Sequence, residues 1–133
     1  MISLNDATFV AGQVTIDDLA DAAAANVKLV VNHRTPHEEP GQPSTAEMTE
    51  MAARFGLRYV EIPVAGAPDQ AAAQLTLEAM NSLAPGERVL LYCRSGMRSS
   101  AAWAMAERLR GAAPDDLRAR ALAAGYDLSR LPL

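Results

Sequence analysis

The chain has 133 residues, half of them hydrophobic, a formal net charge of −4 and a single cysteine. Such a length forms one domain, spanning 1–133, around one apolar core. The acidic balance excludes a nucleic-acid groove, which needs a basic surface, and one cysteine excludes an internal disulfide. Apolar runs stay well below the roughly 18 residues of a membrane span. The start Met1-Ile2-Ser3-Leu4-Asn5-Asp6 lacks the basic-then-apolar order of a signal peptide, so the expected setting is cytoplasmic and membrane-free.

In chain order, Thr8-Phe9-Val10 predicts a short strand, and Thr15-Ile16-Asp17-Asp18 opens an alanine-rich helix that Asn26 closes, with acidic residues in the first turn as the helix dipole favours. Lys28 to Asn32 is a β-branched run that predicts a buried strand; Pro36, Pro40, Gly41 and Pro43 mark the segment after it as loop. Ser44 with Glu47 three residues on has capping-box spacing, so a helix begins there and ends at Gly56. Leu57 to Val64 alternates like a strand, Gly66-Ala67-Pro68 turns the chain, and Gln70 to Leu83 has helical composition until Pro85-Gly86. Arg88 to Tyr92 predicts a strand, Ser99 to Arg110 a helix stopped by Gly111, and Pro114 starts a last helix that Gly125 ends. Strands alternating with helices predict an α/β fold with a mainly parallel sheet of four to five strands, flanked by helices, whose ligands bind beyond the strand C-termini.

Cys93 falls at that rim. It ends the apolar strand Val89-Leu90-Leu91-Tyr92 and opens Arg94-Ser95-Gly96-Met97-Arg98-Ser99, which leads into a helix. Six residues from Cys93 to Arg98 can curl so that backbone N–H groups converge on one point, with the positive end of the helix behind them. Such a cradle stabilises a thiolate and holds an anion. A lone intracellular cysteine is more often a small core residue; the glycine, arginine and serine that follow it tip the reading toward a nucleophile. Arg98 supplies a planar fork of N–H donors for an oxyanion, Arg94 a second positive charge at the loop mouth, and Ser95, Gly96 and Met97 the amides and contacts of the loop. The loops after Asn32 and Val64 meet the same rim, so His33 and Arg34 are candidate lining residues, and Asp69 is a candidate acid beside its alternative role of capping the helix from Gln70. Glu38 and Glu39 read as a solvated pair or as holders of Arg34 or Arg98. His33 and His37 have metal-ligand spacing only on a helix, which Pro36 breaks, so no metal is expected. The chemistry needs no cofactor.

The segment Tyr92-Cys93-Arg94-Ser95-Gly96-Met97-Arg98-Ser99 resembles the active loop of the beta-lactamase hydrolase-like proteins, phosphatase-like domain. Phe9-Val10-Ala11-Gly12-Gln13, Val31-Asn32-His33-Arg34, Glu38 to Ser44 and Ala123-Ala124-Gly125-Tyr126-Asp127-Leu128 resemble other stretches of that family. The resemblance implies a protein-tyrosine or dual-specificity-phosphatase-like fold. It also implies that Ser99, the hydroxyl residue after the arginine, hydrogen-bonds the Cys93 sulfur, a role compatible with capping the helix.

Two departures bear on the reaction. Four residues separate Cys93 from Arg98, as in the loop of rhodanese sulfurtransferases, whereas protein tyrosine phosphatases have five; a tighter ring suits a persulfide better than a phosphoryl group with three equatorial oxygens. Phosphatases also use an aspartate to protonate the leaving alkoxide, and only Asp69 stands near the corresponding loop. The expected reaction is therefore sulfur transfer: Cys93 takes a sulfane sulfur from a small anionic donor, thiosulfate or a persulfide, and passes it to an external thiol or cyanide, because no second cysteine is present to resolve it. The alternatives are a phosphatase acting on a phosphate ester through a phosphocysteine at Cys93, and a non-catalytic anion-binding module.

Overall fold

The computed structural model describes residues 1–133. Its strands are β1 (Ile2–Asn5), β2 (Thr8–Ala11), β3 (Val27–Asn32), β4 (Arg58–Glu61) and β5 (Arg88–Tyr92); its helices are α1 (Ile16–Ala24), α2 (Thr45–Arg54), α3 (Gln70–Asn81), α4 (Met97–Leu109) and α5 (Pro114–Ala123). The strands form one five-stranded sheet in the order β1-β2-β5-β3-β4. All pairings are parallel except β1 with β2, which are antiparallel. β5 lies at the centre, so Cys93 emerges from the most enclosed strand, between β2 and β3.

The central strands carry apolar side chains at successive positions because both their faces are covered. On one face Leu29, Val31, Val89 and Leu91 pack with Met80, Trp103, Ala104, Leu117 and Ala121 from α3, α4 and α5. On the other, Val27, Val30, Leu90 and Tyr92 pack with Leu19, Ala22, Met48 and Ala52 from α1 and α2. Sheet and helices together carry no helix long and apolar enough to cross a membrane.

Helix ends follow their local chemistry. Thr15 and Ser44 form full capping boxes with Asp18 and Glu47. α2, α4 and α5 close in the same way: the glycine after the cap, at Gly56, Gly111 and Gly125, takes positive φ, and the next residue's N–H returns to a carbonyl five residues back. The structure adds one strand to those expected and shifts element boundaries. β1 is absent from the sequence reading, because Ile2-Ser3-Leu4-Asn5 is short and edge-exposed; β4 is shorter than the Leu57–Val64 run, whose last residues bond singly to the β3 exit; and α4 begins at Met97, two residues before Ser99.

Candidate active site

Three chain exits meet at the C-terminal end of β5. Cys93 N–H donates to Ala11 O (3.4 Å), Gln13 N–H to Arg94 O (3.3 Å), and His33 N–H to Tyr92 O (2.8 Å), so the exits of β2 and β3 bracket the loop 93–98. Gly12 allows the β2 exit to lie against the loop: a Cβ there would stand 3.0 Å from Arg94 O. Gly96 takes φ +95° and is buried, and a Cβ on it would overlap the Tyr126 hydroxyl; glycine is required on both counts. Its N–H donates to Cys93 Sγ at 3.1 Å. The loop therefore does curl its backbone onto the sulfur, with the first turn of α4 behind it. Cys93 is fully buried, but its near neighbours include the Arg98 guanidinium and the Tyr126 phenol, which both sense its charge.

Arg98 is held by a carboxylate and a carbonyl. Its Nη1 donates to Glu38 Oε1 (2.9 Å) and Val64 O (2.7 Å), and its Nη2 to Glu38 Oε2 (2.8 Å). Of the five N–H groups on a guanidinium, those bonds leave Nε–H and one Nη2–H, an adjacent pair suited to two oxygens of one anion. Glu38 also accepts from Arg34 Nε (3.0 Å) and from the backbone and hydroxyl of Thr35 (each 3.1 Å). Hydrogen bonding from Arg98, ahead of that from Arg34 and Thr35, pulls the Glu38 carboxyl down to about 2, so it stays ionised and keeps the fork oriented.

Arg34 does not line the loop mouth as expected. It is buried, 1% exposed, with Nε on Glu38, Nη1 on Gln13 Oε1 (2.7 Å) and Nη2 on Glu39 Oε1 (2.7 Å). It acts on the loop through the two carboxylates, and Glu39 in turn reaches Arg94 Nε at 3.3 Å. Arg94 is at the mouth and largely exposed. Ser95 is exposed and its Oγ accepts from Met97 N–H (3.3 Å), steadying the entry to α4. Met97 is exposed beside Arg98, where both line a cavity of about 310 Å³ with Pro68, Leu128, Arg130 and Leu131 among its walls.

His33 lies beneath the loop rather than on its surface, fully buried. Its Nε2 is 3.1 Å from Thr76 Oγ1 and its Nδ1 2.8 Å from Ser99 Oγ. The Thr76 hydroxyl donates to Ala72 O at 2.8 Å, so Nε2 carries the proton that Thr76 accepts, and Nδ1 is left to accept from Ser99. Burial, then the Arg98 charge, lowers the His33 pKa to about 4, keeping the ring neutral. The Ser99 hydrogen is thereby committed to His33, and the sulfur receives its hydrogen bond from Gly96 instead, which corrects the role implied by resemblance. Asp69 caps α3: its Oδ1 accepts from Ala72 N–H at 2.7 Å.

Sequence reasoning gave no role to Gln13, Thr76 or Tyr126, although Gln13 and Tyr126 fall in stretches that resemble the family. Gln13 and Thr76 carry no local pattern that separates them from ordinary polar residues. Tyr126 follows the helix-ending Gly125, and its hydroxyl donates to Ser95 O at 2.9 Å.

Residues 2–110 match the family described as beta-lactamase hydrolase-like protein, phosphatase-like domain. The beta-lactamase hydrolase-like protein of Xylella fastidiosa is 29% identical over 131 residues, 98% of this chain and 30% of the relative; that of Agrobacterium fabrum is 30% identical over 110 residues, 83% of this chain and 25% of the relative. The chain thus spans less than a third of the curated relatives it matches. Among solved structures, a candidate phosphatase from Neisseria meningitidis superposes with a TM-score of 0.84 at 25% identity, covering 96% of this chain and 90% of the other. PTPMT1 in complex with PI(5)P superposes with a TM-score of 0.74 at 15% identity, covering 90% and 80%. The α/β fold read from the strand and helix order is therefore the phosphatase-like one.

Proposed function

The chain belongs to the phosphatase-like domain family of beta-lactamase hydrolase-like proteins, and from that premise we propose that it is a thiolate enzyme that transfers sulfane sulfur through a persulfide on Cys93. The observation that carries this reading is that each carboxylate around the loop is engaged in a bond within the protein, Glu39 through its contacts with Arg34 and Arg94. Glu38 is locked ionised between two arginines, Asp69 is bonded into the cap of α3, and Asp127, on the wall of the cavity beside Arg98, is exposed and held below the usual carboxylate range by hydrogen bonds from Ser129. An alkoxide leaving from a phosphate ester needs a proton from such a group; sulfite or a thiolate does not.

With thiosulfate, Cys93 Sγ attacks the outer sulfur. The new S–S bond forms as the bond to sulfite breaks, and sulfite departs with the electron pair. An acceptor thiolate or cyanide then attacks the outer sulfur of the persulfide and restores the Cys93 thiolate. The two free N–H groups of Arg98 bind oxygens of the donor, and the Gly96 amide stabilises negative sulfur before and after each step. A fully buried sulfur suits a slim sulfane atom, and the cavity by Met97 and Arg98 offers room for the organic part of a thiol.

Hydrolysis of a phosphate ester through a phosphocysteine is the second reading. The family's description and the phosphatase neighbours favour it, and the Arg98 fork would serve phosphate oxygens equally well. A paired assay separates the two: sulfur transfer from thiosulfate to cyanide or glutathione, beside phosphate release from an alkyl and an aryl phosphate, each with Cys93→Ser as control. The expected outcome is sulfur transfer that falls by about a thousandfold or more in C93S, with a mass gain of one sulfur atom on the donor-treated parent. Alkyl phosphate hydrolysis without sulfur transfer would install the second reading, and activity in neither assay would leave an anion-binding module.

A further inference from the structure

We propose that Tyr126 is a positioning residue for the Cys93 loop: by holding the Ser95 carbonyl it fixes the peptide plane whose other end, the Gly96 N–H, is aimed at the sulfur. The C=O of residue 95 and the N–H of residue 96 belong to one planar trans unit and point in opposite directions. Tyr126 Oη donates to that carbonyl at 2.9 Å, and the amide on the far side donates to Cys93 Sγ at 3.1 Å. Released from the clamp, the plane can rotate and present a carbonyl oxygen to the sulfur, which repels a thiolate and any oxyanion. Glycine at 96 makes such a rotation sterically cheap, so the loop needs an outside contact to choose one orientation. The phenol also lies so close over Gly96 that no side chain fits between them.

The tyrosine is well anchored for this task. Tyr126 N–H returns to Ala121 O at 2.8 Å and Gly125 N–H to Leu122 O at 2.9 Å, a closure of α5 that fixes the backbone at 125–126. Two residues on, Leu128 is buried in the core that α4 shares. The C-terminal segment is thus pinned on both sides of the clamp.

The inference rests on Cys93 acting as a thiolate nucleophile, as proposed above, and the readouts that decide it, alkylation and the Gly96 amide signal, need no turnover. Tyr126→Phe keeps the ring and removes the hydroxyl. Alkylation of Cys93 by iodoacetamide at neutral pH is expected to slow about tenfold, the Gly96 amide signal in a nitrogen–proton NMR spectrum to shift, and kcat/KM for sulfur transfer to fall in step with alkylation. A folded Y126F protein with an unchanged Gly96 signal and alkylation rate would overturn the proposal. Independently of that variant, Cys93→Ser in a protein with Tyr126 intact is expected to move the Tyr126 titration downward by removing the neighbouring charge, and an unmoved titration would also overturn it. Loss of the Gly96 response sinks the clamp alone; a normal response in a protein that transfers no sulfur sinks the proposed reaction alone.

Discussion

Arg98 shows how a single side chain is divided between structure and chemistry. Three of its N–H groups are bound by Glu38 and Val64 O, which sets the plane of the guanidinium, and two remain for a ligand. Lysine keeps the charge but cannot hold Glu38 with two parallel bonds while offering two more. Arg98→Lys is therefore expected to lower kcat/KM for sulfur transfer by about a hundredfold or more, with the melting temperature changed far less than the rate; steady-state kinetics beside calorimetry checks this. The same division explains Arg34. Buried and bound by Gln13, Glu38 and Glu39, it touches no open surface, yet it sets the carboxylate that sets Arg98. A basic residue beside an active loop is read from sequence as a ligand for the substrate. Burial makes this one a ligand for the protein.

At the scale of elements, what was legible is what local rules write into consecutive residues. The helix start at Thr15 with its acidic first turn, the capping box at Ser44, the glycines after α2, α4 and α5, and the β-branched run of β3 each fix their element without knowledge of the rest. Cys93, Gly96 and Arg98 were legible for the same reason, since one loop carries them all. Contacts made between elements were not. Thr76 on α3, Gln13 after β2 and Tyr126 after α5 reach the site only because the sheet order brings those ends together, and no spacing records that. Asp69 stood between the two cases, with a cap and an acid both open to it, and the structure shows its Oδ1 in the cap of α3. Asn can cap as well as Asp but cannot give up a proton at neutral pH. Asp69→Asn is accordingly expected to leave sulfur transfer within about twofold of the parent, while Asp69→Ala costs about 1 kcal/mol of stability in denaturant titration. A D69N protein with normal stability and a collapsed rate would return the aspartate to the reaction.

For the whole molecule, the placement of His33 makes stability depend on pH. The imidazole sits under the central strand's exit, between α3 and α4, where it can accept from Ser99 only while neutral, and burial with the Arg98 charge lowers its pKa from 6.5 to about 4. Between those values the unfolded chain binds a proton that the folded protein refuses, so stability falls as pH drops from 6.5 toward 4 and then levels off for this group. At about pH 5 the loss amounts to about 2 kcal/mol. Glu38 acts in a lower window: its carboxyl, drawn from 4.5 down to about 2, stabilises the fold fully above 4.5, and that contribution drains away as pH falls through 2. Stability should thus fall with acid in two separable pH windows. His33→Gln, which keeps a donor and an acceptor but no titrating ring, is expected to flatten the step between pH 6.5 and 4 in urea midpoints and to leave the lower one in place. Glu38→Gln should do the reverse. If H33Q loses stability with acid as steeply as the parent between those two values, the buried ring is not the group that titrates there.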